Sequence, residues 1–442
     1  MAVVIIGMLD EREGALKIIK DQVERKGHRT ILIDISMGVG GIISSLRGDV
    51  CREEILRLAG GSVEEAEGML VAERDKASSL MAEGLKRKLL GLCGSGELEG
   101  VIAIAGMTGT FLSLTAMNAL PFGVPKLMVS SVVAMPAYAS WLAEHVWLRD
   151  ITVMNTVVDT VGTNRLVSAL ALNGANAIVG MVETGRDYPE ETRPSFAMTE
   201  FAFCDMGAQY VREILDKDYE IVSFHAQGLG DRAAVDFVDQ GFFDGFIDLA
   251  PAGFSEYLLG GNRTSGPNRL DVAMDIPIPY ILSPCGFDMI SCGPIQRKLE
   301  KDDLWVSRKL SERKVFLQDA VRVQARTTAE EMRQIGLAVA ERLNRHKYKE
   351  MVKFVIPRRG FSSLSVVGGA LYDPQSDEAF ILALKENLDP AIEVLEIDTD
   401  INTPSLQQQL PMPLHALKEN HNRVLPAQDR FTTGAIKIVA IS

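Results

Sequence analysis

Residues 2–35 read AVVIIGMLDEREGALKIIKDQVERKGHRTILIDI and decide the fold. The run AVVIIG (2–7) predicts a buried strand, and EGALKIIKDQVERKG (13–27) has the apolar spacing of a helix that ends on a glycine. The run TILIDI (30–35) predicts a second strand. Continuous apolar strands joined by a helix are typical of a parallel sheet that is covered by helices on both faces.

The same alternation continues through the first half of the chain. Helical patterns run from 51 to 92 and from 164 to 183, and further strands are predicted at VIAIAG (101–106), PKLMVSS (125–131) and DITVMNTV (150–157). The composition then turns polar at GRDYPEETRPS (185–195), which carries two prolines and is the predicted linker.

A second set of alternations follows the linker. Strands are predicted at FAMTEFAF (196–203), YEIVSFHA (219–226), FDGFIDLA (243–250), IPYILSP (278–284), VKFVIP (352–357) and IEVLEID (392–398). Thr328 and Glu331 have capping-box spacing at the start of a long helix. The end is irregular up to a strand-like IKIVAIS (436–442). The sequence therefore predicts two Rossmann-like α/β domains, 1–190 and 191–442, each a mostly parallel sheet with helices on both faces.

Composition excludes several classes of protein. The formal net charge is -13 over 442 residues, which argues against nucleic acid as a partner because phosphate binding needs an excess of Lys and Arg. No apolar stretch reaches the roughly 18 residues of a membrane helix. Five scattered cysteines suggest neither a disulfide framework nor a metal site. We expect a cytoplasmic protein with no membrane contact.

The turn after the strand 101–106 is the first candidate site. Ligands of open α/β sheets bind beyond the carboxyl ends of strands, where glycines and a helix N-terminus face an anion. Gly106 and Gly109 allow close backbone approach, and Thr108 and Thr110 add hydroxyls for phosphate oxygens. The turn has neither the P-loop ending nor a GxGxxG fingerprint, so a tight turn without any ligand is equally consistent.

Other strand ends of the first half carry polar residues. Gly7 and Asp10 lie where a nucleotide or its metal would be met, although Asp10 is equally suited to cap the following helix. Asp34, at the end of the second strand, is placed for ribose hydroxyls. Ser130 is a candidate anion donor, or an ordinary solvated loop residue.

The segment NTVVDTVGTNR (155–165) concentrates Asp159 and Asn164 between a strand and a helix. Asp159 is costly among apolar neighbours unless it is paired, and Arg165 is six residues away. A structural ion pair and a binding site are equally consistent.

The second half offers candidate acid and base residues. His225 ends a predicted strand, and its side chain suits proton transfer near neutral pH, although a lone histidine is more often structural. Asp288 lies in another strand-end turn between Cys285 and Cys292, which we interpret as buried thiols rather than nucleophiles. Weaker candidates, equally explained by capping or surface ion pairs, are Glu256, Arg326 and Asp373.

The order of these turns resembles the Tm-1-like ATP-binding family, also called UPF0261. The resemblance covers roughly residues 1–400 and rests on the series GMLD (7–10), LIDI (32–35), LEGVIAIAGMTGT (98–110), VVDTVGTNR (157–165), FHAQGLGDRA (224–233), GFDMISCGP (286–294), RTTAEEMR (326–333) and LYDPQSDEAF (371–380). It implies two Rossmann-like domains, ATP bound by the first, and a homodimer or higher homo-oligomer. The chain looks like a stand-alone bacterial-type member.

The chain also departs from the family pattern. Met8, Glu11 and Arg12 replace two threonines and a lysine of the family's first turn, and the missing lysine removes a phosphate contact. Ala105–Thr110 has fewer glycines than the family turn, and Ser365 stands where an aspartate is expected. This pattern indicates a divergent member.

Three functional hypotheses follow. The first is an ATP-binding protein, with Mg as a candidate ion, that acts as an enzyme on a small phosphorylated or carboxylated metabolite between the domains, with His225 and Asp288 as acid or base. The second is a non-catalytic, nucleotide-dependent binding or regulatory protein. A nicotinamide oxidoreductase is disfavoured because neither half shows the full dinucleotide fingerprint.

Overall fold

The computed structural model describes residues 1–38, 40–69, 73–133, 135–184 and 193–404. The chain divides into two compact units, whose described parts are 1–184 and 193–404. Most of the predicted linker (185–195) lies outside the described residues. The chain from 405 onward, where the sequence predicts an irregular tail, lies entirely outside them.

The first unit is a five-stranded parallel sheet with helices on both faces. Its strands are β1 (Ala2–Gly7), β2 (Thr30–Asp34), β3 (Leu98–Ala105), β4 (Lys126–Ser130) and β5 (Thr152–Asn155), in the order β2-β1-β3-β4-β5. Its helices are α1 (Leu9–Arg25), α2 (Arg52–Leu58), α3 (Val63–Met69), α4 (Arg74–Gly94), α5 (Met107–Met117), α6 (Ala139–Trp147) and α7 (Arg165–Glu183).

The helices pack as two layers. The residues of α1 and α7 share one apolar cluster with the sheet, and those of α4 and α5 share the other, so the sheet lies between them. The helix that follows β1 packs on one face of the sheet, and the helix that follows β3 packs on the other face. The switch point lies between β1 and β3, and ligands of doubly wound folds bind beside such a point.

The second unit repeats this plan with a six-stranded parallel sheet. Its strands are β6 (Ser195–Glu200), β7 (Glu220–His225), β8 (Gly245–Asp248), β9 (Tyr280–Leu282), β13 (Val352–Pro357) and β14 (Glu393–Ile397), in the order β14-β13-β9-β8-β6-β7. A separate antiparallel sheet is formed by β10 (Met289–Ser291), β11 (Val315–Leu317) and β12 (Val323–Arg326). The predicted doubly wound fold is confirmed, and the small antiparallel sheet is an addition that the patterns did not predict.

The two helices of the second unit that lie between β10 and β11 are shorter than its other helices. In chain order, the helices of this unit are α8 (Asp205–Leu215), α9 (Leu229–Asp239), α10 (Ala252–Leu259), α11 (Gln296–Leu299), α12 (Asp303–Ser307), α13 (Ala329–Leu343) and α14 (Pro374–Asn387). The predicted capping box of α13 is present, because Thr328 and Glu331 exchange hydrogen bonds between side chain and backbone.

One described helix, α7, is long and apolar enough on average to span a membrane by length and composition, although Asn173 and Asn176 interrupt its apolar run. It buries Val167, Ala171, Ala175 and Ile178 against the first sheet, as the core helix of a globular unit does.

Candidate functional site

A cavity of about 600 Å³ lies at the carboxyl ends of β1 and β2. Its polar lining comprises Asp10, Asp34, Ser36, Ser44, Arg47 and Arg52. The cavity is also lined by Gly38, Gly40 and Gly48. The carboxyl ends of the strands are where doubly wound folds bind ligands, so this cavity is the candidate site of the first unit.

Asp34 ties the two strand ends together with one carboxylate oxygen. Its Oδ1 accepts the backbone N–H groups of Leu9 (3.3 Å) and Ser36 (2.9 Å), together with the Ser36 hydroxyl. Ser36 Oγ in turn accepts the N–H of Asp10 at 3.2 Å. The first N–H groups of α1 are therefore satisfied by protein, and Oδ2 of Asp34 has no hydrogen-bond partner among the described residues.

Asp10 anchors the loop that follows β2. Its Oδ2 accepts the N–H of Gly40 at 2.9 Å, whereas its Oδ1 is buried and has no hydrogen-bond partner among the described residues. A Cβ added at Gly40 would lie 2.2 Å from the Asp10 carbonyl oxygen, so only glycine fits there. Asp10 does not cap α1, whose N-cap residue Met8 makes no side-chain cap. The Oδ1 of Asp10 is a buried acceptor, and buried acceptors nearly always have a hydrogen-bond partner in protein, water or a ligand.

Arg12 lies at the switch point beside the turn after β3. It is 4% exposed, and its guanidinium donates from Nε to Thr160 Oγ1 (3.0 Å), from Nη2 to Asp159 Oδ1 (2.7 Å), and from Nη1 to Glu11. A Cβ added at Gly106 would lie 2.3 Å from Arg12 Nη2. Asp159 therefore pairs with Arg12 instead of Arg165, and the glycine at position 106 makes room for this guanidinium.

Several predicted site residues of the first unit have structural partners. Thr110 and Ser130 are fully buried and share a hydrogen bond of 2.7 Å between their hydroxyls. Asn164 caps α7 by accepting the N–H groups of Leu166 and Val167.

Two of the predicted glycines serve close packing. A Cβ at Gly7 would lie 2.6 Å from Leu16 Cδ2, and one at Gly109 would lie 2.8 Å from Ala105 Cβ. Thr108 is half-buried and lies in the first turn of α5, two residues after the N-cap Gly106.

The structure does not bring the two predicted acid–base residues together. His225 is exposed at the end of β7 and lines a second cavity of about 330 Å³ with Glu200, Arg212 and Ser223. Asp288 is buried, with Oδ1 accepting the N–H of Gly286 and Oδ2 accepting the Ser362 hydroxyl. His225 is the last residue of β7, whereas Asp288 lies in the turn between β9 and β10, and the described lining of the His225 cavity does not include Asp288.

The cysteines of the second unit behave as the sequence suggested. Cys285 and Cys292 are buried, and burial raises the pKa of both thiols, that of Cys292 to about 12. Ser365, which stands for the family's aspartate, accepts the N–H groups of Phe361 (3.0 Å) and Ser362 (3.1 Å) and so holds its turn.

Sequence reasoning missed a buried ionic network beneath the second sheet's carboxyl edge. Arg269 donates from both terminal nitrogens to Asp248 (2.8 and 2.7 Å) and from Nε to Asp231 (3.1 Å), and Asp248 also accepts the hydroxyls of Tyr280 and Thr199. All these side chains are fully buried. Asp248 lies inside the predicted strand 243–250, where a charged residue was a usable signal, but no pattern around Arg269 indicated that it pairs with Asp248.

No cluster of three or more His, Cys, Asp or Glu with metal-binding geometry occurs within the described ranges. A metal at Asp10 would therefore draw most of its ligands from a bound phosphate and from water, as Mg²⁺ does in nucleotide sites.

Fold and cavity together define a two-unit, doubly wound parallel α/β protein with a polar cavity at the strand ends of its first unit. The chain belongs to the Uncharacterised protein family (UPF0261): the model of the family's N-terminal domain matches residues 1–187 and that of its C-terminal domain residues 193–417.

Relatives span both bacteria and plants. A UPF0261 protein of Clostridium tetani is 32% identical over 404 residues, covering 90% of this chain and 95% of the relative. A UPF0261 protein of Rhizobium meliloti is 27% identical over 93% of this chain and 94% of the relative. The ToMV resistance protein Tm-1 of Solanum lycopersicum is 29% identical over 71% of this chain, which spans 40% of the tomato protein.

Proposed function

We propose that the first unit binds a nucleotide, with ATP as its ligand, in the cavity at the ends of β1 and β2. The observation that carries the proposal is Asp34, which lines the cavity from the end of β2 and keeps Oδ2 free while Oδ1 holds the loop. An acid at this position accepts ribose hydroxyls in doubly wound nucleotide-binding folds. The resemblance to the Tm-1-like ATP-binding family supports adenine as the base.

The phosphates would lie over the first turn of α5. The N–H groups of Met107, Thr108 and Gly109 belong to the first turn, whose N–H groups have no carbonyl partner within the helix, and the N-cap Gly106 provides no side-chain cap. Arg12 places a cation against Gly106, and an arriving phosphate competes with the half-exposed Asp159 for it. Arg12 would thus supply the charge that the family's lysine supplies elsewhere.

Asp10 would hold Mg²⁺ against the phosphates. Its buried Oδ1 has no hydrogen-bond partner in the described parts of the chain, and one carboxylate plus phosphate oxygens and waters is a normal Mg²⁺ coordination. Magnesium should therefore strengthen ATP binding in the wild type and have a smaller effect in Asp10→Asn.

The non-catalytic alternative gains support from one observation. Both carboxylate oxygens of Asp288 accept hydrogen bonds from protein, and His225 lines a cavity whose described lining does not include Asp288, which speaks against these two residues as an acid–base pair. This favours a nucleotide-dependent binding or regulatory protein over an enzyme that uses this pair on a phosphorylated or carboxylated metabolite. Phosphate release from ATP at a steady rate, lost in Asp10→Asn, would restore the enzyme proposal.

Calorimetric titration of MgATP into wild type and Asp34→Asn tests the site. Asparagine keeps an acceptor for the Leu9 and Ser36 amides but loses the charged oxygen, so we expect an affinity about tenfold lower. Asp75→Asn, which removes an equal charge at the exposed start of α4, is the matched control and should bind as the wild type does. Equal affinities in all three proteins would place the nucleotide elsewhere.

Cytoplasmic location and homodimer formation are further parts of the proposal. The resemblance supports the dimer, and the five free cysteines fit a reducing compartment. Light scattering of the purified protein tests the dimer directly.

A further inference from the structure

Unsatisfied polar atoms concentrate in the second unit. Of eight buried side-chain atoms without a hydrogen-bond partner among the described residues, five belong to this unit: Glu256 Oε2, Arg263 Nη1, Ser265 Oγ, Ser283 Oγ and Arg326 Nε. Buried polar atoms are nearly always paired with protein, water or ligand. Arg326 belongs to β12 of the antiparallel sheet, whereas the other four residues lie between β8 and the loop after β9. Their unpaired atoms therefore need a cause.

Arg263 is the strongest of these groups. It is 4% exposed, and it donates from Nε (3.0 Å) and Nη2 (2.6 Å) to one oxygen of Glu256. Its guanidinium carbon lies 5.0 Å from the centre of the Phe201 ring, while Nη1 is left without a partner among the described residues. A buried, charged N–H group without an acceptor costs more than any neutral one.

Phe201 connects Arg263 to the ends of β8 and β9. A Cβ at Gly286 would lie 3.1 Å from Phe201 Cζ and 2.6 Å from Ala252 Cβ, so these three residues are in contact. Ala252 begins α10, whose N-cap Pro251 offers no side-chain cap, although this helix end is buried. A buried, uncapped helix N-terminus presents N–H groups that need an acceptor.

Two unpaired hydroxyls flank this point. Ser283 follows β9, is 1% exposed, and donates its backbone N–H to the Asp248 carbonyl, which places it beside the strand that leads into α10. Ser265 is 9% exposed, and a Cβ at Gly253 in the first turn of α10 would lie 2.0 Å from its Oγ. Both hydroxyls are thus next to the same helix start.

The segment that carries Arg263 and Ser265 is unusual. Residues 261–279 contain neither helix nor strand, yet Arg263, Ser265 and Arg269 within it are buried. Irregular segments of this length in compact domains are usually functional when they are ordered.

We propose that Arg263, Ser265, Ser283 and the first turn of α10 form a binding site for a small oxyanion, either a phosphate or a carboxylate group. Arg263 carries a positive charge, and both serine hydroxyls and the first N–H groups of α10 can donate hydrogen bonds, which together favour an anion. Two buried acids lie nearby. Asp231, whose Oδ1 lies 3.2 Å from a Cβ added at Gly253, is paired with Arg269, and Glu256 shares Oε1 with Arg263 and turns Oε2 to Gly261, where an added Cβ would lie 1.5 Å from it. Burial also raises the pKa of Glu256, which weakens its repulsion of an anion.

The site is independent of the nucleotide proposed for the first unit. Binding at this site therefore does not require Asp34 or Arg12.

Calorimetric titrations with inorganic phosphate and with acetate, at constant ionic strength, test the site and distinguish its two ligand classes. Ser283→Ala removes a hydroxyl that has no described partner, so the free variant should melt at or above the wild-type temperature. We expect the wild type to bind an anion saturably at this site, in addition to any phosphate bound at the first turn of α5. The affinity of this site should be about tenfold lower in Ser283→Ala and in Arg263→Lys, which keeps the charge opposite Glu256.

Ser113→Ala is the matched control, because Ser113 Oγ is likewise buried and without a partner in the described residues, but lies in α5 of the first unit. It should retain wild-type anion affinity. Adenosine, which carries no phosphate, titrates the first-unit cavity separately, so the two proposals fail independently. Absence of saturable binding of either anion, or equal affinities in wild type and Ser283→Ala, would overturn the site and leave buried water as the partner of these atoms.

Discussion

Gly106→Ala tests the placement of Arg12 at the switch point. The added Cβ would lie 2.3 Å from Arg12 Nη2 and 3.1 Å from Cζ, so the guanidinium must move by about 1 Å to reach normal contact. That movement disrupts the hydrogen bond to Thr160 and the ion pair with Asp159. The first is buried and contributes about 1 kcal/mol. The second has a partner that is 65% exposed and contributes less than that.

Adding a strain of about 1 kcal/mol gives an expected loss of roughly 2–3 kcal/mol in the free energy of unfolding. Urea unfolding followed by circular dichroism measures it. In the Arg12→Ala background the clash is absent, so Gly106→Ala should cost at least about 1 kcal/mol less there than in the wild type.

Gly91→Ala is the control for the glycine substitution itself. Gly91 is exposed within α4 and an added Cβ meets nothing within 4 Å, so alanine should stabilise the protein by up to about 1 kcal/mol. Equal costs of Gly106→Ala with and without Arg12 would refute the contact between these residues.

Two further predictions concern buried charges of the second unit. Arg269→Met leaves Asp248 and Asp231 buried without their cation, so urea unfolding should show a loss of about 3–5 kcal/mol; a loss below 1 kcal/mol would contradict the network. Asp377, at the start of α14, is buried and pairs with Arg326 at 2.6 Å. Burial raises its pKa to about 7, above its unfolded value near 4, so the stabilisation it contributes below pH 4 is lost as pH rises through 7. Asp377→Asn should therefore gain on the wild type between pH 5 and pH 8, by at most about 3 kcal/mol, and parallel pH profiles of the two proteins would exclude this.

The parallel sheets were predictable because their central strands are buried on both faces. Such strands are continuous apolar runs, as AVVIIG and VIAIAG show, and the helices between them have a different period. The antiparallel sheet of β10, β11 and β12 was not predicted. Its strands have three or four residues, too few to show a period, and Met289 pairs with Arg326 far along the chain.

The candidate site was predictable only in part. Asp10 and Asp34 follow strands, and parallel strands end at one edge, so their shared cavity could be expected from order alone. The partner of Asp159 could not be predicted, because Arg12 lies 147 residues away in the sequence and other arginines lie nearer. Pairing between distant side chains is set by tertiary packing, which a local pattern does not record.

Thermal melting with ATP, ADP and adenosine, each with and without Mg²⁺, tests the central claim most directly. A ligand at 100 times its dissociation constant adds about 2.7 kcal/mol to stability, a shift of a few degrees for a protein of this size. The account predicts a shift for ATP that Mg²⁺ increases in the wild type and that is reduced in Asp34→Asn. Melting temperatures that no adenine nucleotide changes would contradict nucleotide binding in this cavity.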